Sequence, residues 1–375
     1  MSRIILKQIA IEKNERIDNP SQSSYTRFVG LEHYDSGEAT IRRYGSTERL
    51  ESTMKVFRAG DILVARRNVY LKRAATVDFD GLTSGDSIVL HIENEVYRRI
   101  IPFVLNTDEF WDYANQHADG SMSKRLSPKL LMEYEFSLPD DNLEQISSIL
   151  WAMERVKTAY RELIAKTDEL VKSQFIEMFG SKQEPKCHYV PLKSLTDVCS
   201  GGTPDRKKAE YWADGHIPWV KTTELQNKTI YSTEECITDK GLSESSAKIV
   251  PPETILVAMY GQGKTRGKTA FLGIEACTNQ ACACILPTDR VRMKFLWHYF
   301  ISQYEDLRNL AKGSNQANLN AGMIKDYLVP LPGLEEQKRF EQLVEQSDKS
   351  KFEAQQAMEN LRVAQKALMR QHLTK

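Results

Sequence analysis

The sequence predicts an α+β protein, built as two pseudo-symmetric α+β domains with two long antiparallel coiled-coil helices between them. Three observations predict it. The chain repeats itself at an offset near 193 residues. Each repeat opens with short β-rich runs and helical patterns mixed together. Each repeat closes on a stretch of nearly 40 residues that reads as one amphipathic helix.

The repeat is clearest in Gly120–Pro139, GSMSKRLSPKLLMEYEFSLP, and Gly313–Pro332, GSNQANLNAGMIKDYLVPLP. Gly120/Gly313, Ser121/Ser314, Leu126/Leu319, Tyr134/Tyr327, Leu138/Leu331 and Pro139/Pro332 are identical, and Leu130/Met323, Leu131/Ile324 and Phe136/Val329 stay apolar. Far upstream, ILVA ends the runs Asp61–Ala65 and Thr254–Ala258, again 193 residues apart. Downstream, Glu144-Gln145 and Glu336-Gln337 lie 192 apart. A period this long is no solenoid repeat, so the duplicated unit is a domain plus a helix.

The domains are assigned to residues 1–140 and 185–333, and the helical segments to 141–184 and 334–375. Asp61–Ala65, Ser87–Ile92, Thr254–Met259 and Ala281–Leu286 read as strands between Gly, Asn, Asp and Ser turns. Phe295–Leu310 has helical patterning. After Pro139, Asp140 or Asp141 can cap a helix that meets no Pro or Gly from Asn142 to Phe179. Its seam positions 143, 146, 150, 153, 157, 160, 164, 167, 171, 174 and 178 are apolar at eight of eleven, the exceptions being Lys157, Thr167 and Gln174. The second helix, Leu334–Leu373, carries Phe340, Val344, Met358, Leu361 and Leu368, but Ser347 and Lys351 interrupt its seam.

Composition excludes several classes. The chain has 375 residues, 41% hydrophobic and 27% charged, as ordinary globular proteins have. Lys+Arg and Asp+Glu are both 51, so any phosphate-binding surface must be local. No apolar run approaches the roughly 20 residues of a membrane span, and MSRIILKQIAIEK is too charged for a signal peptide. A cytoplasmic location is expected, with the six cysteines as free thiols.

With these elements placed, the sequence resembles the specificity subunit of type I restriction–modification systems. The resemblance rests on SGGTP at Ser200–Pro204, Tyr211-Trp212 with GHIPWVKTTEL at Gly215–Leu225, and GSNQANLN at Gly313–Asn320. VPLPGLEEQKRF at Val329–Phe340 and LVKSQFIEMFG at Leu170–Gly180 extend it. The first repeat departs from the pattern: it has no SGGTP and no IPWV, and DDNLEQ replaces LPGLEEQ. The resemblance implies two target-recognition domains, each reading half of a split asymmetric site in double-stranded DNA. It implies that the long helices bind methyltransferase subunits, two in number, and that restriction motor–nuclease subunits complete the complex. S-adenosylmethionine, ATP and magnesium would sit on those partners, and this chain would hold no cofactor and catalyse nothing.

Charge distribution argues for DNA contact independently. No acid lies between Asp61 and Asp78, where Arg66, Arg67, Lys72 and Arg73 occur, nor between Glu253 and Glu275, where Lys264, Arg266 and Lys268 occur. Both clusters follow the matched ILVA run, and Asn68 and Gln262 add groups able to read base edges. Tyr70 and Tyr260 either pack against sugar or base or belong to the core. Lys124, Arg125, Asn315 and Gln316 form a second patch just before the long helices, where polar turn residues are an equal reading.

Other signals fail on context. AMYGQGKT at Ala258–Thr265 imitates a phosphate loop, but Ala258 replaces the first Gly and a strand pattern follows where a helix is needed. Cys277, Cys282 and Cys284 lack zinc-site spacing and read as strand core. Asp326…Glu336-Gln-Lys338 loosely matches a nuclease pattern, yet its Glu and Lys open a helix, where acids suit the dipole. His33, His91, His117, His188, His216 and His372 stand apart, and none has a catalytic role. A phosphate-loop-like nucleoside triphosphatase or a nuclease using the GQGKT or EEQK segments, and a helical scaffold that binds only protein, remain the alternatives.

Overall fold

The computed structural model describes residues 2–120, 123–261, 264–310 and 318–373. The chain divides into two compact units. The first takes residues 1–163 with 353–375, and the second takes 164–352. Each long helix, Leu143–Phe179 and Leu334–Leu373, therefore contributes to both.

In the first unit Ser2–Ile5 pairs antiparallel with Glu135–Leu138. A four-stranded antiparallel sheet runs in the order Ile11–Lys13, Ser87–His91, Ile62–Ala65, Ala74–Thr76. A second, mixed sheet orders Arg16–Ile17, Met54–Phe57, Gly81–Thr83, Arg27–Val29 and Gly45–Ser46, with Arg27–Val29 parallel to Gly81–Thr83. Helices Glu95–Val104 and Asp108–His117 start where Asn94 and Thr107 accept from the backbone N–H groups of Tyr97 and Phe110 at 3.2 and 3.3 Å.

The second unit repeats this plan. His188–Pro191 pairs with Leu328–Leu331, and His188 faces Leu331 as Ser2 faces Leu138. Its larger sheet orders Val198–Ser200, Cys282–Ile285, Ile255–Ala258, Thr269–Leu272 and Thr229–Ile230. Its smaller sheet again holds one parallel pair, Ile217–Val220 with Cys277–Thr278.

The ILVA strands explain the match. Each lies inside its sheet and is buried on both faces, which suits a continuous apolar run. Ile62 and Val64 enter one core while Leu63 and Ala65 enter another. Ile255 and Val257 part from Leu256 and Ala258 in the same way, the period-two alternation of a strand.

Three expectations need correction. Neither Asp140 nor Asp141 caps the first long helix. Asn142, at φ 65°, turns the chain into it, and its carbonyl accepts from the Ile146 N–H at 2.9 Å. Asp140 instead accepts from the Ser2 hydroxyl. The pattern over Phe295–Leu310 is two helices, Met293–Ser302 and Tyr304–Leu310, with Gln303 between them. The seam also rotates. Ile146 and Leu150 are buried as read, but Phe175 and Phe179 replace Gln174 and Met178 on the buried face. A 3.6-residue helix drifts about 20° per heptad from a strict seven-residue pattern, about one position over five heptads.

Gly180 closes that helix at φ 73°, where a Cβ would lie 2.2 Å from the Glu184 carbonyl oxygen, so no other residue fits. Within each unit the helices run antiparallel. Ile146 and Leu150 share a core with Met369 and Leu373 in the first, and Phe175 and Phe179 with Phe340 and Val344 in the second.

The interruptions of both seams are satisfied. Lys157 is 2% exposed and bonds Glu154 at 2.6 Å and the Gln365 side-chain oxygen at 2.9 Å. Lys351 pairs with Asp168 and Asp348 at 2.9 and 2.7 Å. The Ser347 hydroxyl donates to the Leu343 carbonyl at 2.8 Å.

Candidate nucleic-acid interface

In the first unit the buried strand Ile62–Ala65 delivers the chain to the surface at Arg66. The turn that follows meets residues 123–126, so the two patches read separately in sequence form one surface. The Asn68 N–H donates to the Lys124 carbonyl at 2.9 Å and the Leu126 N–H to the Arg66 carbonyl at 2.8 Å. Arg67 Nε donates to the Ser123 hydroxyl at 3.0 Å, and that hydroxyl donates to Asn68 Oδ1 at 3.0 Å. The exposed guanidinium groups of Arg67 and Arg125 flank the Asp86 carboxylate at 3.6 and 3.3 Å. Lys124 is exposed and donates to the Asn115 carbonyl at 2.8 Å.

The remaining cations of this loop differ in availability. Arg66 is partly buried, with its Nε enclosed and lacking a protein acceptor. Lys72 is held by Asp108 at 2.7 Å, and the bonds from Lys72 and Arg370 pull the Asp108 carboxyl down to about 2. Arg73 turns inward. It is 9% exposed and donates to the carbonyls of Leu31 and Arg67 at 2.9 and 3.0 Å, and burial lowers its pKa. It shapes the loop rather than presenting charge to solvent.

The second unit builds its turn on the same frame. The Ala258 N–H donates to the Lys268 carbonyl at 2.9 Å, as that of Ala65 does to Arg73 at 2.9 Å. The Leu319 N–H meets the Met259 carbonyl at 3.1 Å, as that of Leu126 meets Arg66. Arg73 therefore corresponds to Lys268, and Arg66 to Met259. Apart from Arg73 and Lys268, the cations occupy corresponding loops but different steps of them. Lys264 is exposed, and its carbonyl accepts from the Tyr304 hydroxyl at 2.7 Å. The Arg266 carbonyl accepts from Arg308 at 3.1 Å, and Lys268 Nζ donates to the Gln226 side chain at 2.9 Å. Helix Tyr304–Leu310 thus supports the loop from below. Gln262, Asn315 and Gln316 lie outside the described residues.

Sequence reasoning missed the roles of Asp86 and Ser123, because their partners are distant along the chain. Charge spacing alone shows only where acids are absent. Tyr70 and Tyr260 are 60% and 39% exposed, so neither belongs to the core. Strand Thr269–Leu272 follows the GQGKT segment, so no helix N-terminus is there to hold phosphate. Cys277, Cys282 and Cys284 are buried in strands; burial raises the thiol pKa values of Cys277 and Cys282, and the hydrogen bond with Cys199, with burial, raises that of Cys284. Among the described residues no cluster of acids, His and Cys could hold a metal, and no helix is long and apolar enough to cross a membrane.

Residues 188–360 match the model of the type I restriction modification DNA specificity domain. The sequence likeness to this family lies in that segment. Curated relatives include the EcoR124I/EcoR124II specificity subunit of Escherichia coli, 23% identical over 215 residues, 56% of this chain and 53% of the relative. The MjaIX specificity subunit of Methanocaldococcus jannaschii is 32% identical over 172 residues, 42% of this chain and 38% of the relative. The chain thus matches about half the length of these relatives or less.

The architecture of the specificity subunits extends further than the sequence match. The S subunit from M. genitalium superposes with a TM-score of 0.56 at 12% identity, covering 100% of this chain and 96% of that one. A chain from a study of type I complex assembly and conformational transition superposes with a TM-score of 0.58 at 19% identity, covering 98% and 96%. The specificity-subunit fold therefore includes the first half, which lies outside the matched domain.

Proposed function

We propose that this chain is the DNA-recognition subunit of a type I restriction–modification complex and is itself non-catalytic. Each unit reads one half of a split, asymmetric site in double-stranded DNA. The observation that carries this reading is the duplicated specificity-subunit architecture with a basic turn after the ILVA strand of each unit. Cations there suit phosphate, and Asn, Arg and Lys suit base edges.

Two methyltransferase subunits and the motor–nuclease subunits assemble on the long helices, carrying S-adenosylmethionine, ATP and magnesium. An exposed apolar row on the central helix supports a helical partner. Ile149, Val156, Leu163 and Leu170 recur every seven residues and are 41–50% exposed, the spacing by which one helix face meets another. The nucleoside triphosphatase alternative lacks a phosphate-binding helix start, because strand Thr269–Leu272 follows the segment.

Methylome sequencing with and without the gene tests the reading. It should reveal a bipartite site whose modification depends on this chain. A partner complex that methylates the same site without this chain would overturn it. ATP turnover by the isolated chain, abolished by Lys264→Ala, would favour the nucleoside triphosphatase.

A further inference from the structure

The basic turn of the first unit carries a feature that phosphate binding does not require. Val69–Leu71 form a single 3₁₀ turn, closed by the Leu71 N–H on the Asn68 carbonyl and the Lys72 N–H on the Val69 carbonyl, each at 3.0 Å. Both residues that bracket it, Asn68 and Lys72, stand in the left-handed region at φ 55° and 48°. Side chains disfavour that region, and such positions persist only where surrounding structure holds them.

That structure is present here. Val69, 1% exposed, anchors the turn from inside, the Gly37 N–H holds the Lys72 carbonyl at 3.0 Å, and Asp108 holds the Lys72 ammonium. The result is a braced tip that thrusts two bulky apolar side chains outward: Tyr70 is 60% exposed and Leu71 37%. Two adjacent apolar side chains on a braced tip form a small rigid contact surface. The exposed cations of the same turn, Arg67 with the adjoining Lys124 and Arg125, favour a polyanion over an apolar protein face.

We propose that Tyr70 and Leu71 form a wedge that enters the DNA at a base step of the half-site bound by the first unit. Tyr70 stacks on the opened base, Leu71 fills the gap beside it, and the neighbouring cations hold the flanking phosphates. Apolar wedges between base steps and aromatic stacking on bases are established ways of gripping nucleic acid. A pre-braced tip lowers the ordering cost of insertion. The inference rests on the proposed DNA-recognition role and assigns it a mode of contact.

The test uses the full chain assembled with type I methyltransferase subunits. The DNA is a duplex carrying the site mapped by methylation. 2-Aminopurine is placed at successive positions of the first half-site, apart from the methylated adenine, and its fluorescence reports unstacking. A several-fold rise is expected at one step. It should persist in Tyr70→Phe, shrink in Leu71→Ala and vanish in Tyr70→Ala, while Arg67→Ala weakens binding but keeps the rise at saturation.

Sequence-selective binding without a rise at any step would overturn the wedge alone. So would a rise that survives the double change Tyr70→Ala with Leu71→Ala. Failure of Tyr70→Ala to assemble with the partner subunits, at unchanged chain stability, would make the tip a protein contact and overturn it too. A wild-type complex with no selective DNA binding would instead overturn the functional reading, and the wedge with it.

Discussion

Arg67 and Arg125 stand far apart in sequence yet share the carboxylate of Asp86, and this pairing sets what their removal should do. Each is exposed, so Arg67→Ala or Arg125→Ala should leave the fold intact and weaken DNA binding through the first half-site only. Lys264→Ala and Arg266→Ala should act through the second. A lost base contact should cost about 1–3 kcal/mol at one position, whereas a lost phosphate contact should weaken all sequences and flatten the salt dependence. Titrations on DNAs altered in each half separately check this, and equal loss on both halves from either loop would refute the assignment. His298 supports a prediction of a different kind. Burial holds its imidazole down at about 4, against the raising fields of Asp348 and Glu345 and with the lowering fields of Lys351 and Lys294. The unfolded chain takes up this proton near the ordinary value of 6.5. The stability of the second unit should therefore be full above that value and fall as pH drops from 6.5 towards 4, by at most about 1.4 kcal/mol per pH unit. Denaturant midpoints across this window should slope less in His298→Gln.

The long helices are the elements whose length carries a prediction. Leu143–Phe179 spans 37 residues, about 56 Å at 1.5 Å each. Two domains that read one face of DNA need centres about 34–36 Å apart, so the helix suffices with its ends left for packing. Asp168 and Lys351 link the two helices inside the second unit. Lengthening one helix alone would break their register. Seven residues inserted between Thr167 and Leu170 should therefore be matched by seven after Phe352. The gap between methylated half-sites should then grow by about 10 Å, or about three base pairs, with neither half-sequence changed. Methylation mapping decides, and an unaltered gap would mean that the helices do not set the spacing.

For the whole molecule the duplication predicts that one half can replace the other. Ile146 and Leu150 of the central helix meet the end of the C-terminal helix, just as Phe340 and Val344 meet the end of the central helix. On this alignment Glu154 and Lys157 stand where Asp348 and Lys351 stand, each an acid–lysine pair three residues apart. In a dimer of residues 1–180, Lys157 would meet Asp168 of the second copy, as Lys351 meets Asp168 in the chain itself. Such a dimer has true two-fold symmetry and should prefer an inverted repeat of the first half-site. Ile146 is smaller than Phe340, so the dimer should pack more loosely at that layer and melt below the full chain. Mass measurement and methylation mapping with partner subunits check it. A stable monomer, or a dimer reading the asymmetric parental site, would show that the halves are not interchangeable.

Residues alone determined the duplication, the two long helices, the ILVA strands and the rejection of the phosphate-loop segment, because each rests on short-range periodicity or turn chemistry. Offsets shifted between elements, yet the paired registers of the two edge-strand pairs stayed the same. Only the tertiary structure decided which cations face solvent. Arg66, Arg67, Lys72 and Arg73 read as one acid-free cluster, but folding buries Arg73 beneath two carbonyls and ties Lys72 to Asp108. It also joins Arg67 to Arg125, and it makes Lys157, which reads as a flaw in an apolar seam, the centre of a buried network with Glu154 and Gln365. Charge and hydropathy are properties of a residue, whereas exposure and partners are set by strands and helices far away along the chain. No local pattern contains them.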